Sequence, residues 1–171
     1  LSYVNIGLSR APYWGGFTNT FTYKGWELYL HTTYSLNYKV YNSVLAEYTS
    51  GTSWTSSNLH KVPSSLKIWE KPGDKADIPM VNADPAFVQE LNHETSFCYT
   101  DASHLRISNI RLTYNFPQQW MKKICVQSAA LSFSCDNVYT FASKYFAGMD
   151  PENVGGWAAP RRFIFGLNVT F

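Results

Sequence analysis

Hydrophobic and polar residues alternate with a period of two in five separate stretches of the chain, the repeat of β-strands with one apolar and one polar face. The alternation is cleanest over residues 161–171. Phe163, Phe165, Leu167, Val169 and Phe171 share one face there, and Arg162, Gly166, Asn168 and Thr170 share the other, with Ile164 the only exception. Residues 16–24 and 26–38 read as two strands rich in Thr, Tyr, Phe and Trp, joined at Lys24-Gly25 as a hairpin. Residues 103–116 form a third strand, in which Ile110, Leu112, Tyr114 and Phe116 are in one phase and Leu105 and Ile107 in the other. A bulge or a change of environment near Ser108-Asn109 would reconcile the two phases. A fourth strand covers 124–137, with Ala129, Leu131, Phe133 and Cys135 alternating with Ala130, Ser132, Ser134 and Asp136.

The connections alternate as well. Those at Lys24-Gly25 and around 117–123 are short, whereas 39–102 and 138–160 are long. Short, long, short, long is the order of an up-and-down antiparallel barrel that crosses a membrane, with short periplasmic turns and long extracellular loops. On that reading 39–102 and 138–160 are the outer loops and the last strand ends at the periplasmic face. The apolar face then meets lipid and the polar face lines a lumen. Aromatics near strand ends, Tyr23, Trp26, Tyr114, Phe116, Trp120 and Phe171, fit interfacial girdles. Single-chain outer-membrane barrels begin at about eight strands, so five strands are part of a larger barrel. A soluble antiparallel sheet alternates in the same way. The competing expectation is therefore a soluble β-rich domain whose aromatic loops bind carbohydrate.

Composition favours the membrane reading. Aromatic residues make up 17% of the 171 and charged residues only 15%, against about 25% charged in an ordinary soluble domain. The formal charge of +2 is too small and too dispersed for a nucleic-acid surface. No apolar run is long enough for a transmembrane helix, which leaves membrane β-strands open. Cys98, Cys125 and Cys135 are odd in number and lack metal-ligand spacing. The opening Leu1-Ser2-Tyr3-Val4 has neither an initiator Met nor a signal segment, so the numbered chain is expected to begin inside a longer one.

Four stretches resemble the SusC/RagA family of TonB-dependent transporters. They are Pro12-Tyr13-Trp14-Gly15-Gly16-Phe17 leading to Phe21-Thr22-Tyr23-Lys24-Gly25-Trp26; Ser103 to Tyr114 (SHLRISNIRLTY); Asn137 to Phe141 with Gly148 to Glu152; and Gly155-Gly156-Trp157 followed by Pro160 to Phe171. His104 stands where the family has an aromatic, and Phe97 where it has a basic residue. The resemblance implies about five C-terminal strands of a large plugged barrel in the bacterial outer membrane. It also implies TonB-driven import of oligosaccharides or peptides with a SusD-like surface lipoprotein, and contact with the TonB complex through segments upstream of this chain. Phe171, with Val169, Leu167, Phe165 and Phe163, resembles the C-terminal signal read by the barrel-assembly machinery.

Candidate chemistry is sparse. His31, His60, His93 and His104 show no ligand spacing, and no nucleophile-elbow sequence accompanies the serines, so neither a metal, a cofactor nor an enzyme is expected. Asn168-Val169-Thr170 matches a glycosylation sequon but lies in a strand expected to face lipid. Asp150-Pro151-Glu152 is expected to form a turn rather than a cation site. Trp54, Trp69, Tyr99 and Trp157 fall in the long loops, where such side chains stack on a ligand, meet a partner or pack the loop itself. Glu27, His31, Arg106, Arg111, Asp136 and Arg162 fall on the polar face as a candidate lumen wall; charges enclosed there need partners or water.

Overall fold

The computed structural model describes residues 4–49, 62, 64–78, 96–146 and 149–171. The described elements are β1 (Tyr13–Tyr23), β2 (Trp26–Leu36), β3 (Lys39–Tyr41), α1 (Ser43–Thr49), β4 (Tyr99–Asp101), β5 (His104–Asn115), α2 (Gln118–Lys123), β6 (Ser128–Phe141) and β7 (Arg162–Thr170), with 3₁₀ turns at Ser96–Cys98 and Lys144–Phe146. They fall into two compact units.

The first unit, Tyr13–Ser35, Leu105–Phe141 and Ala159–Phe171, is a five-stranded sheet in the order β1-β2-β5-β6-β7, each strand beside its predecessor in the sheet. It is open at β1 and β7 within this chain. Lys24 and Gly25 both have positive φ, 46° and 87°, which is the two-residue turn whose twist suits a hairpin. A Cβ on Gly25 would lie 2.8 Å from the Asn115 carbonyl oxygen, so only glycine fits there.

Strand limits differ from the sequence pattern for local reasons. β1 starts at Tyr13 rather than 16 because Gly15 and Gly16 are extended. A Cβ on Gly16 would lie 2.8 Å from the Thr32 carbonyl oxygen, so the glycines permit close approach to β2. β2 stops at Leu36, before the positive φ of Asn37, 65°. β6 starts at Ser128 rather than 124 because α2 and the positive-φ residue Cys125 occupy the preceding stretch.

The register shift falls where it is expected, between Ile107 and Asn109. The register passes from Ile107↔Tyr139 to Asn109↔Asp136, two steps on β5 against three on β6. The extra residue is therefore on β6, where Asn137 takes φ 52°, a conformation asparagine tolerates better than most residues. Its Nδ2 donates to the Pro160 carbonyl at 3.2 Å, and the strand continues through the bulge to Phe141.

The second unit, Leu1–Pro12, Leu36–His104 and Ala142–Ala158, holds the two long connections. The first was expected to be a partly structured loop; its described part has its own core. β3 pairs antiparallel with β4. Leu45, Leu66 and Ile78 form one buried cluster, and Tyr38, Ala102 and Phe146 a second. Fully buried Asn42 stands just before α1. Its Oδ1 accepts from the Leu45 N–H at 2.9 Å and its Nδ2 donates to the Tyr145 carbonyl at 3.1 Å, so one side chain caps the helix and ties it to the second connection.

Candidate functional site

The sheet has two chemically distinct faces. On β7, Phe163, Phe165, Leu167 and Val169 stand opposite Cys135, Phe133, Leu131 and Ala129 of β6, while Leu112 and Tyr114 of β5 stand opposite Phe133 and Leu131. The rings pack along the sheet surface: Phe133 lies 4.9 Å from Phe165 and Trp26 lies 4.6 Å from Tyr114, centroid to centroid. Among the described residues nothing covers this row, and Phe165 and Leu167 remain 78% and 69% exposed. Phe17, Phe21 and Leu28 are exposed as well. Soluble monomers rarely expose a contiguous apolar patch of more than a few hundred Å². This is the face the sequence assigns to lipid.

The opposite face carries paired polar groups. Asp136 accepts a hydrogen bond from Asn109 Nδ2 at Oδ1 and lies 3.0 Å from the Arg162 guanidinium at Oδ2. The Arg111 guanidinium sits 5.0 Å over the Tyr29 ring, an electrostatic attraction to the ring face. His31 Nδ1 lies 2.9 Å from the Thr18 hydroxyl, and the Thr33 and Ser108 hydroxyls are 3.0 Å apart. Of the six expected wall residues, the structure thus brings Asp136 and Arg162 together and gives Arg111 and His31 partners on neighbouring strands. Glu27 is half-buried on β2. Arg106 is half-buried opposite Thr140, on the far side of the bulge from the Asp136 cluster. Tyr29, Asn109 and Thr18 were not singled out by the sequence. They become visible only when the register sets them beside a charged or titratable neighbour.

The loop aromatics do not assemble into one site. Trp54 lies outside the described residues. Tyr99 packs edge-on against Tyr41, 5.6 Å between centroids. Trp69 is half-buried, its backbone N–H bonded to the Ile78 carbonyl. Trp157 is 96% exposed, its carbonyl held by Asn153 Nδ2 at 3.1 Å. Asp150-Pro151-Glu152 forms a turn, with Asp150 Oδ1 accepting from the Glu152 N–H.

Further polar contacts tie the long connections. Lys144 Nζ lies 2.6 Å from Asp77 Oδ1, the Tyr145 hydroxyl donates to the same oxygen at 3.4 Å, and the Lys67 N–H donates to Oδ2. The Lys144 ammonium, followed by the Lys67 N–H, holds the Asp77 carboxyl below its ordinary pKa, and Asp77 in turn raises that of Lys144. Burial, reinforced by Cys98 and Tyr99, pushes the Tyr41 hydroxyl up. His104, buried where the family resemblance has an aromatic, has Nδ1 3.0 Å from the Ala102 carbonyl and Nε2 3.7 Å from Glu152. Among the described residues no group of three or more His, Cys, Asp and Glu is placed to hold a metal ion.

No family model matches the chain. Two TonB-dependent receptors of Formosa agariphila are 26% and 28% identical to it, each alignment covering 97% of this chain and 17% of the relative. The chain therefore spans about one-sixth of the length of the curated relatives it matches. Among solved structures, the RagAB peptide importer in its closed-closed state superposes with a TM-score of 0.71 at 20% identity, and in its open-open state with 0.68 at 22%. Each superposition covers 94% of this chain and 17% of the other. At that identity the superpositions establish the fold alone. The chain is thus similar along nearly its whole length to TonB-dependent receptors, and its sheet has the fold of a segment of such a barrel.

Proposed function

We propose that the chain is part of an outer-membrane, TonB-dependent importer of nutrients such as oligosaccharides or peptides, acting with a SusD-like lipoprotein and not as an enzyme. The observation that carries this reading is the match to TonB-dependent receptors over 97% of the chain, in a segment whose sheet leaves its apolar face uncovered. The apolar face meets lipid. The polar face, with Glu27, His31, Arg106, Arg111, Asp136 and Arg162, lines the lumen of a larger barrel, where its charges find partners in the sheet and in the protein that fills the barrel. The long connections lie outside and the short turns in the periplasm, as in bacterial barrels generally. Trp157, the most exposed of the described loop aromatics, is the one of them best placed for a ligand or the lipoprotein. Phe171 with Val169, Leu167, Phe165 and Phe163 serves as the assembly signal, and segments outside this chain contact the TonB complex.

The test is uptake by cells that carry the full-length protein. Labelled oligosaccharide and peptide pools are offered with and without a proton-motive-force uncoupler, in native and gene-deleted strains. Accumulation of a pool that requires both the gene and the proton-motive force supports the reading. Undiminished accumulation of every pool in the deleted strain, or uptake insensitive to the uncoupler, contradicts it.

A further inference from the structure

The ends of the sheet strands that carry the short turns have an uneven charge. Lys24 lies in the hairpin turn, and Lys122 and Lys123 in α2. No acidic residue occurs in 13–26, 114–135 or 163–171; the first is Glu27, half-buried on β2. Three backbone contacts gather these ends onto one rim. The Asn115 N–H donates to the Gly25 carbonyl at 2.8 Å, the Phe116 N–H to that of Ala129, and the Gln127 N–H to that of Thr170.

α2 is seated on this rim by one residue. Met121 is buried, and its carbonyl accepts from the Ile124 and Val126 N–H groups, which fold the chain back into β6. Trp120 and Ile124, four residues apart and so on one side of the turn, remain 55% and 62% exposed, with Lys122 and Lys123 exposed between them. Trp26, Tyr114 and Phe116 form a continuous row of rings at the same end of the sheet, and the Lys24 ammonium lies 5.2 Å over the Tyr23 ring. Amphipathic aromatics seek the headgroup level of a bilayer, while lysine stems lie along apolar surface with the ammonium at the phosphate level.

We propose that this rim, Lys24, Lys122 and Lys123 set beside Trp26, Trp120 and Ile124, is a binding surface for anionic phospholipid headgroups of the leaflet it meets. The inference rests on the membrane reading above and adds which lipid the short-turn end selects and which residues select it. Three ammonium groups with no acidic side chain among them attract phosphate-bearing headgroups of net negative charge over zwitterionic ones. The rings and Ile124 hold them at the depth where that attraction acts.

The full-length protein is reconstituted in phosphatidylcholine vesicles, and its relative affinity for spin-labelled phosphatidylglycerol over spin-labelled phosphatidylcholine is read by electron paramagnetic resonance. The native protein should prefer phosphatidylglycerol. The triple variant Lys24→Gln, Lys122→Gln, Lys123→Gln should lower that preference at least about fivefold, the contribution of a single lysine at a membrane surface, and the matching Lys→Arg variant should retain it. Unchanged preference in the glutamine variant overturns the inference. If that variant fails to assemble, the three single Lys→Gln variants decide in its place, each expected to lower the preference. A Phe165→Trp reporter separates the two levels. Quenching of its added fluorescence by acyl-chain-brominated lipid upholds the membrane reading whatever the lysines do, and absence of quenching overturns both.

Discussion

Replacing Leu167 with arginine asks whether the uncovered face of the sheet meets lipid. Leu167 lies near the middle of β7, opposite Leu131 and between Phe165 and Val169 on the apolar face. An arginine on the lipid side of a barrel costs about 2–4 kcal/mol at the bilayer midplane and about 0–1 near the interfaces, and the central position of Leu167 puts it in the upper range. That is a roughly 30- to 1,000-fold loss in the folded-to-unfolded ratio. The control is Ser132→Arg, on the opposite face, beside Gly166, whose missing side chain leaves room. Its cost should stay below about 1 kcal/mol, the hydroxyl's hydrogen bond to the Gly166 carbonyl being the main loss. The assay is guanidinium-dependent folding of the full-length protein in lipid vesicles, followed by the mobility difference between folded and unfolded forms on unheated gels. Equal costs for the two variants, or a larger cost for Ser132→Arg, would refute the assignment of faces.

Three other outcomes follow from single contacts. Gly25→Ala places a Cβ 2.8 Å from a backbone oxygen at φ 87° and should destabilise by about 2–4 kcal/mol in the same assay; a loss under about 0.5 kcal/mol would mean the turn can rearrange. Asn42→Ala removes a helix cap and takes the Asn42 donor from the half-buried Tyr145 carbonyl, an effect of about 1–3 kcal/mol. It should expose fully buried Cys98 to thiol reagents well before global unfolding, and Cys98 labelling at the native rate would contradict it. The Asp77–Lys144 pair has opposite shifts at its two ends. The lowered Asp77 pKa gives stability that is present above the ordinary carboxylate range and is lost as pH falls through the lowered value. The raised Lys144 pKa gives stability that is present below the ordinary lysine range and is lost as pH rises through the raised value. Protease nicking of the long connections, measured relative to Asp77→Asn at each pH, should therefore be slowest on a plateau from mildly acidic to mildly alkaline pH; a constant ratio across pH would remove the pair from the account.

The strands were legible where one face is unbroken. β7 needs no partner to declare itself, because four apolar residues hold one phase from Phe163 to Val169. The bulge was legible only as a conflict between Leu105 and Ile107 on one side and Ile110 and Leu112 on the other. Which strand takes the extra residue depends on cross-strand pairing, and Asn137 settled it. Gly15 lies outside the 16–24 pattern because glycine has no side chain to show a phase, whereas the close approach of β2 makes it a strand residue. The core of the long connections escaped the sequence pattern because it joins residues far apart in the chain, such as Tyr38, Ala102 and Phe146. For the same reason the role of Tyr99 needed its partner Tyr41. The Asp136–Arg162 pair was legible as two charges on a polar face, but not Asn109 as the third member of their cluster.

The most direct test of the central claim is where the full-length protein resides and what releases it. Cells that produce it are separated into periplasmic, inner-membrane and outer-membrane fractions. The outer-membrane fraction is then washed with high salt, carbonate and detergent in turn. A β-barrel whose apolar face meets lipid should stay in the outer-membrane fraction through salt and carbonate, leave only with detergent, and migrate faster on gels before boiling than after. Recovery in the periplasmic fraction without detergent would contradict it, and the uncovered row from Trp26 to Phe165 would then require a protein partner rather than a bilayer.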